Sequence, residues 1–219
     1  MYDKIIEVVS KSPLMQGIND VKKILECFGA RVMKYFKDEE IIGYGDKPAI
    51  IIVANGKANV ISEDYAGNRN VINKLGAGGV YGVAFVYSGQ EVSTRLVATE
   101  DCTVVILDEK RLHEPCELPC RDHTAFLYNA IKVVGNASVT FLERSEILSR
   151  RTIREKVLAY LSAQARKKGS NEFSIPFSRQ ELADYISTDR SALSGELSRM
   201  AKDGLINYKL NRFRINISR

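Results

Sequence analysis

From Arg31 to Leu107 the apolar positions fall in short runs, RVMKYF, EIIGYG, AIIIVANGKANVIS, RNVINKL, STRLVA and CTVVIL, separated by Gly, Asn, Asp or Pro. Many short β-branched runs with turn residues between them predict antiparallel strands closing into a barrel or roll. The period changes from Pro119 to Ser149, where Leu127, Ile131, Val134, Phe141 and Leu148 recur near a heptad spacing that Ser138 and Ser145 interrupt. That pattern predicts one long helix. Between two domains it cannot bury such a stripe alone, so it reads as a dimerisation helix against a second copy of the chain. Residues 151–165 predict a further helix, and Arg166 to Asn171 reads as a polar linker.

Residues 177–206, FSRQELADYISTDRSALSGELSRMAKDGLI, carry two helical periods. Leu182, Ala183 and Ile186 share one face of a first helix that opens at Ser178, and Glu181 three residues on completes a capping box. Ser187, Thr188 and Asp189 break the pattern. A second helix starts after Asp189 as its N-cap, buries Leu193, Leu197 and Met200, and stops before Gly204. Its outer face carries Arg190, Ser191, Ser194, Gly195, Ser198 and Arg199. Small polar residues let a helix approach the floor of the major groove, and a guanidinium bonds guanine edges bidentately. LINYKLNRFRINI then alternates about Asn211 as a hairpin does, with Lys209, Arg212 and Arg214 placed to reach phosphate. Helix-turn-helix and basic hairpin together make a winged helix, whose partner is double-stranded DNA.

Charge follows the same division. Residues 149–219 hold 15 Lys plus Arg against 7 Asp plus Glu, whereas residues 1–148 hold 17 against 20. The positive excess lies where counterion release from DNA requires it. A length of 219 residues with 45% hydrophobic content suffices for two small cores. MYDKIIEVVS has no apolar signal region, no apolar run approaches the ~18 residues of a membrane span, and four cysteines suggest no disulfide framework. The expectation is a cytoplasmic protein without a membrane partner.

Two stretches of the strand-rich region carry a resemblance. EEIIGYGDKPAIIIVANGKANV resembles the first hairpins of a cyclic-nucleotide-binding roll, and KLGAGGVYGVAF the glycine-rich lead into its ligand cassette. RQELADYISTDRSALSGELSRM resembles the helix-turn-helix signature of the CRP/FNR family of bacterial transcription regulators. The resemblance spans nearly the whole chain. It implies an α+β fold: an antiparallel β-roll (double-stranded β-helix) in an effector domain over residues 1–118, a dimerisation helix over 119–149, and a winged helix-turn-helix over 150–219. It also implies a sequence-specific, homodimeric regulator that touches RNA polymerase when it activates.

By the same resemblance Arg179 and Gln180, beside Ser178, contact backbone phosphate, and Arg190, Ser191, Ser194 and Gly195 face base edges. Gly195 departs from the family, which commonly has a guanine-reading arginine there; Arg199, one turn on, is the candidate replacement. The ligand cassette departs further. The family's cAMP-binding members place a glutamate for the ribose and an arginine for the cyclic phosphate where this chain has Val83 and Val92. Ser93 and Thr94 survive, but hydroxyls do not neutralise a buried phosphate, and strand alternation turns Arg95 to the other sheet face. The effector is therefore unknown and not expected to be cAMP. Gly82, Val83, Phe85, Val92, Ser93 and Thr94 outline either an apolar effector pocket or simply filled core.

One further constellation is LHEPCELPCRDH, which brings His113, Cys116, Cys120 and His123 within eleven residues. Four such ligands suit a tetrahedral zinc or iron site, or a thiol redox sensor, just ahead of the long helix; inert loop residues are the plain alternative. No phosphate loop, metalloprotease helix or nucleophile elbow occurs, and GAGG at Gly76 to Gly79 is read as turns without a following helix. An enzyme is not expected. A ligand- or metal-binding module with a helical assembly tail is the competing class, and it would place apolar residues where Arg190, Ser191, Ser194 and Ser198 stand.

Overall fold

The run IIIVA, apolar at every position, becomes the central strand of the first sheet because both of its faces are covered. In the computed structural model, which describes residues 2–113 and 120–216 with the side chain of His113 excepted, this strand is flanked on either side by cores. Packing divides the chain into two compact units, residues 1–136 and 137–219.

The first unit runs α1 (Tyr2–Ser10), α2 (Val21–Cys27), β1 (Arg31–Tyr35), β2 (Glu40–Ile42), β3 (Ile50–Asn55), β4 (Ala58–Glu63), β5 (Arg69–Leu75), β6 (Val80–Tyr81), α3 (Val83–Ser88), β7 (Arg95–Ala98), β8 (Cys102–Leu107), α4 (Glu109–His113) and the first half of α5 (Arg121–Leu148). Its strands form two antiparallel sheets, ordered β1-β8-β3-β6 and β2-β7-β4-β5. Ile51, Val53 and Val104 meet Ile41, Ile42, Val60 and Leu96 in the core between the sheets. Ile50, Ile52, Val105 and Leu107 point the other way, onto Val9, Leu14, Ile24 and Leu25 and onto Phe126 and Ala130 of α5. The result is the antiparallel roll, backed by helices.

Two side chains of α5 stitch the start of the chain to it. Asp122 accepts hydrogen bonds from the backbone N–H groups of Asn19 and Asp20 and from the Asn19 amide, at 3.1–3.2 Å. The buried Asn129 amide donates to the carbonyls of Leu14 at 3.0 Å and Gln16 at 2.7 Å. Neither contact spans fewer than 100 residues of sequence.

The strand expectations need three amendments. EIIGYG is a strand only over Glu40–Ile42, and STRLVA only from Arg95. The fourteen-residue run breaks at Gly56 into β3 and β4. The glycines at 76–79 do turn the chain, Gly78 at φ +81°, but a helix follows after only two strand residues: α3, six residues long, entered through Gly82. VAFVYS reads as strand by composition, and its helix is imposed by packing of Val83 and Val86 into the roll.

α5 is long and apolar enough by length and composition to cross a membrane, although it contains no unbroken apolar run of that length. Its apolar positions differ in burial, however: Phe126 and Ala130 are buried, while Leu127, Tyr128, Ile131, Val139, Phe141 and Leu142 are exposed.

The second unit holds the rest of α5, then α6 (Ile153–Lys168), β9 (Glu172–Ser174), α7 (Arg179–Tyr185), α8 (Arg190–Lys202), β10 (Ile206–Lys209) and β11 (Arg212–Ile215). Leu182, Ala183, Ile186, Leu193, Leu197 and Met200 are all buried, in one core with Val157, Leu161, Ile206 and Phe213. The residues read as a linker instead finish α6 through Lys168 and, after Gly169 at φ +63°, lead into β9. That strand adds a third member to the hairpin, giving the order β10-β11-β9.

Candidate nucleic-acid interface and effector roll

α7 opens with a capping box: Ser178 Oγ accepts from the Glu181 N–H at 3.2 Å, and the Glu181 carboxylate accepts from the Ser178 N–H at 2.8 Å. Asp189 occupies the N-cap position of α8 without a capping bond from its side chain. Between the helices Ser187 takes φ +52°, the tight corner that sets α8 across α7.

On α8, Arg190, Ser191, Gly195, Ser198 and Arg199 are exposed and Ser194 is half-buried, while Leu193, Leu197 and Met200 are fully buried beneath them. Ser194 Oγ donates to the Arg190 carbonyl at 2.8 Å and Ser198 Oγ to the Ser194 carbonyl at 3.1 Å, so both hydroxyls lie flat on the helix. Lys209 and Arg212 are cross-strand partners beside the hairpin turn, both exposed. Arg212 also reaches Glu172 at 3.4 Å. Arg179 is half-buried: its guanidinium lies over the rings of Tyr208 and Phe213, 5.1 and 5.7 Å from their centres, and donates to the Leu210 carbonyl at 3.2 Å. It ties the head of α7 to the wing, and burial holds its pKa below the ordinary arginine value. Gln180 donates to Asp184 at 2.8 Å.

One residue of this surface escaped the sequence reading. Glu196 is 8% exposed in the apolar stripe of α8. Its Oε1 accepts from Arg154 Nε at 2.6 Å, and its Oε2 accepts from Arg199 Nε at 2.9 Å and Nη2 at 2.6 Å. Arg154 is paired in turn with Asp203 at 2.8 Å. The hydrogen bonds from Arg154 and then Arg199 hold the Glu196 carboxyl below the usual carboxylate range. A charge at a stripe position, three residues after Leu193 and four before Met200, was the available signal.

In the roll, Val83 and Val92 are both core residues but of different cores. Val83 packs with Ile50, Ile52 and Phe126, Val92 with Ile41, Ile42 and Leu96. Phe85 is half-buried against Tyr81, ring centres 5.8 Å apart. Thr94 Oγ1 is 2.8 Å from the Tyr81 hydroxyl, and Ser93 is exposed. Gly82 sits at φ +89° with its Cα against the Ala49 carbonyl. Arg95 is held between two carboxylates, Nε on Glu40 and Nη1 on Glu63 at 3.0 Å, and Glu63 also takes Arg69 at 2.9 Å. These residues do not fit a cyclic phosphate: valine stands at the arginine position, and the neighbouring arginine is already neutralised.

Of the four candidate metal ligands, Cys116 and the His113 side chain lie outside the described residues. Cys120 is half-buried just before α5. His123 is buried, its ring edge-on to Phe28 at 4.7 Å. Among the described residues no group of three or more His, Cys, Asp or Glu side chains gathers to hold a metal. Beside α5, Tyr87, Leu127, Ala130, Ile131, Val134 and Gly135 line an open apolar groove of about 490 Å³.

Comparison with known proteins agrees with this division. The family model described as the cyclic nucleotide-binding domain matches residues 32–117, and that of the Crp-like helix-turn-helix domain matches residues 155–218. No curated protein sequence matches significantly. Among solved structures, the catabolite activator protein of Thermus thermophilus is similar at 21% identity and TM-score 0.50, covering 94% of each chain. A CooA variant from Carboxydothermus hydrogenoformans is similar at 17% identity and TM-score 0.61, over 94% of this chain and 93% of that one. The c-di-GMP-responsive regulator CLP of Xanthomonas campestris is similar at 16% identity and TM-score 0.56, over 91% of this chain and all of the other. At such identities these likenesses speak to fold.

Proposed function

The chain belongs to the CRP/FNR family of transcription regulators, and on that premise we propose that it is a homodimer placing two copies of α8 in successive major grooves of a near-palindromic operator, half-sites ~34 Å apart. The observation that carries this reading is the two-sided chemistry of α8: a fully buried apolar face beneath an exposed face of small residues and arginines, next to a basic wing. In functional terms residues 1–118 form the effector roll, 119–149 the dimerisation helix and 150–219 the DNA-reading module. Such a protein works beside the chromosome in the cytoplasm, and RNA polymerase is its further partner where it activates.

Arg190 and Arg179 separate the two kinds of DNA contact. Arg190→Ala is expected to cost on the order of 1–3 kcal/mol on the preferred operator and much less on random duplex, in titrations of both at one salt concentration. Arg179→Ala is expected to weaken both alike and to flatten the salt dependence. Equal losses from Arg190→Ala on both duplexes would remove its base-reading role.

The effector of this reading is not cAMP. The valine at position 92 offers no charge to a cyclic phosphate, and freeing Arg95 would leave Glu40 and Glu63 without their shared guanidinium. Calorimetry with cAMP is expected to show no saturable heat up to millimolar nucleotide. Micromolar binding would require a phosphate site elsewhere and would overturn this assignment.

A further inference from the structure

We propose that Glu196 holds Arg199 as a second base-reading arginine of α8, in the space Gly195 leaves open, and that the group it reads is the major-groove edge of guanine. The inference rests on the reading of α8 as the DNA-contacting helix.

Side chains on a helix lean toward its N-terminus, so a long residue covers the surface about one turn before its own Cα. Arg199 does so. Its Nη1 is 3.8 Å from the point a Cβ on residue 195 would occupy, and apart from the adjoining residues and the helix's own backbone no other atom there comes within 4 Å. The guanidinium therefore hangs over the part of the outer face that has no side chain of its own.

Its orientation is fixed by chemistry on one edge only. A guanidinium has five N–H groups arranged on two usable edges. Glu196 takes the Nε/Nη2 edge through a single oxygen, Oε2. The Nη1/Nη2 edge is left with two parallel N–H groups, the pair that matches guanine O6 and N7. The carboxylate cannot drift, because Arg154 grips its other oxygen at 2.6 Å and is itself paired with Asp203. An aliphatic residue at 196 would satisfy the apolar stripe. The carboxylate there removes rotamer freedom from Arg199 before DNA arrives, and as a buried negative charge near the groove it offsets indiscriminate attraction of that arginine to phosphate. Glu196 is thus a positioning residue and Arg199 the reader.

The test is site selection from a random duplex pool by the full-length protein, followed by affinity titrations on the selected site and on its single-base variants. Arg199→Ala should erase the preference for one guanine per half-site, a loss of roughly tenfold to a hundredfold for that base, while affinity for duplex lacking the guanine is nearly unchanged. Glu196→Gln should blunt the same preference and leave random-duplex affinity unchanged or higher. Gly195→Arg combined with Arg199→Ala should restore the guanine preference from the neighbouring turn. Should Glu196→Gln fail to fold, Arg199→Lys replaces it, since an ammonium on Glu196 lacks the planar pair of parallel donors and should weaken the guanine preference while keeping its charge.

An unchanged selection profile for Arg199→Ala would make the network purely structural and overturn the inference. A uniform loss across all sequences with a salt slope reduced by about one would make Arg199 a phosphate contact and overturn it too. Arg190→Ala run in parallel separates the two levels: if it alters the selected site and Arg199→Ala does not, only this inference fails, whereas if neither does, the reading of α8 fails with it.

Discussion

Ile131→Glu is expected to turn the proposed dimer into a folded monomer and to lower affinity for a two-half-site operator by about a hundredfold or more. Ile131 is 70% exposed at the middle of a helix whose neighbouring face shows Leu127, Tyr128, Phe141 and Leu142 to solvent. A monomer rarely leaves an apolar face of this extent uncovered. The heptad-like spacing of these residues fits a second copy of the same helix. Two-fold symmetry would place the two introduced carboxylates near each other in an apolar seam, where neither has a cationic partner. Losing the dimer removes the second recognition helix, and linked binding of that kind contributes 10²- to 10⁴-fold in general. Light scattering reads the oligomeric state, circular dichroism the fold and a DNA titration the affinity. A variant that stays dimeric with unaltered affinity would show that the stripe is not the interface.

The second large effect is expected at Gly82. Gly82→Ala combines a left-handed backbone, φ +89°, with a methyl group 1.9 Å from the Ala49 carbonyl oxygen, an impossible contact. Ala49 immediately precedes the central strand β3, so relief requires moving the strand shared by both cores of the roll. The expected cost is on the order of 3 kcal/mol or more, a large part of the stability of a domain this size. The core of residues 137–219 contains none of these residues. Denaturant unfolding should therefore show an early transition from the roll and an unshifted one from the winged module. Gly89→Ala makes a suitable control: φ is +66° but nothing lies within 4 Å, so only the backbone term remains.

How far the sequence discloses this molecule depends on which interaction decides each element. Apart from Glu196, the helix-turn-helix was legible because local signals and burial agree: Ser178 and Glu181 cap α7, and the stripe Leu193, Leu197, Met200 is the face that packs. β8 keeps the limits of its apolar run for the same reason, whereas β5, exposed except at Leu75, keeps its limits through pairing with β4. α3 was not legible, since VAFVYS favours a strand and only tertiary packing makes it a helix. β9, three residues long, exists because β11 has an edge for it to join. At the candidate site, the outer-face residues of α8 follow from periodicity. That Glu196 grips Arg199, that Arg179 lies on the wing aromatics and that Arg95 is neutralised by Glu40 and Glu63 are facts of side-chain geometry, which no spacing rule contains.

Asp122 and Asn129 have a consequence in time as well as in space. The turn they hold, Leu14 to Asp20, is made more than 100 residues before them on the ribosome. At ordinary elongation rates of 5–20 residues per second, the first two helices wait roughly 5–20 s for the side chains that fasten them, and Val9 and Leu14 wait equally for Phe126. For that interval the nascent chain carries an amphipathic hook, the two helices between Tyr2 and Cys27, with nothing to catch, which makes that stretch the one where early capture by a chaperone matters most to yield.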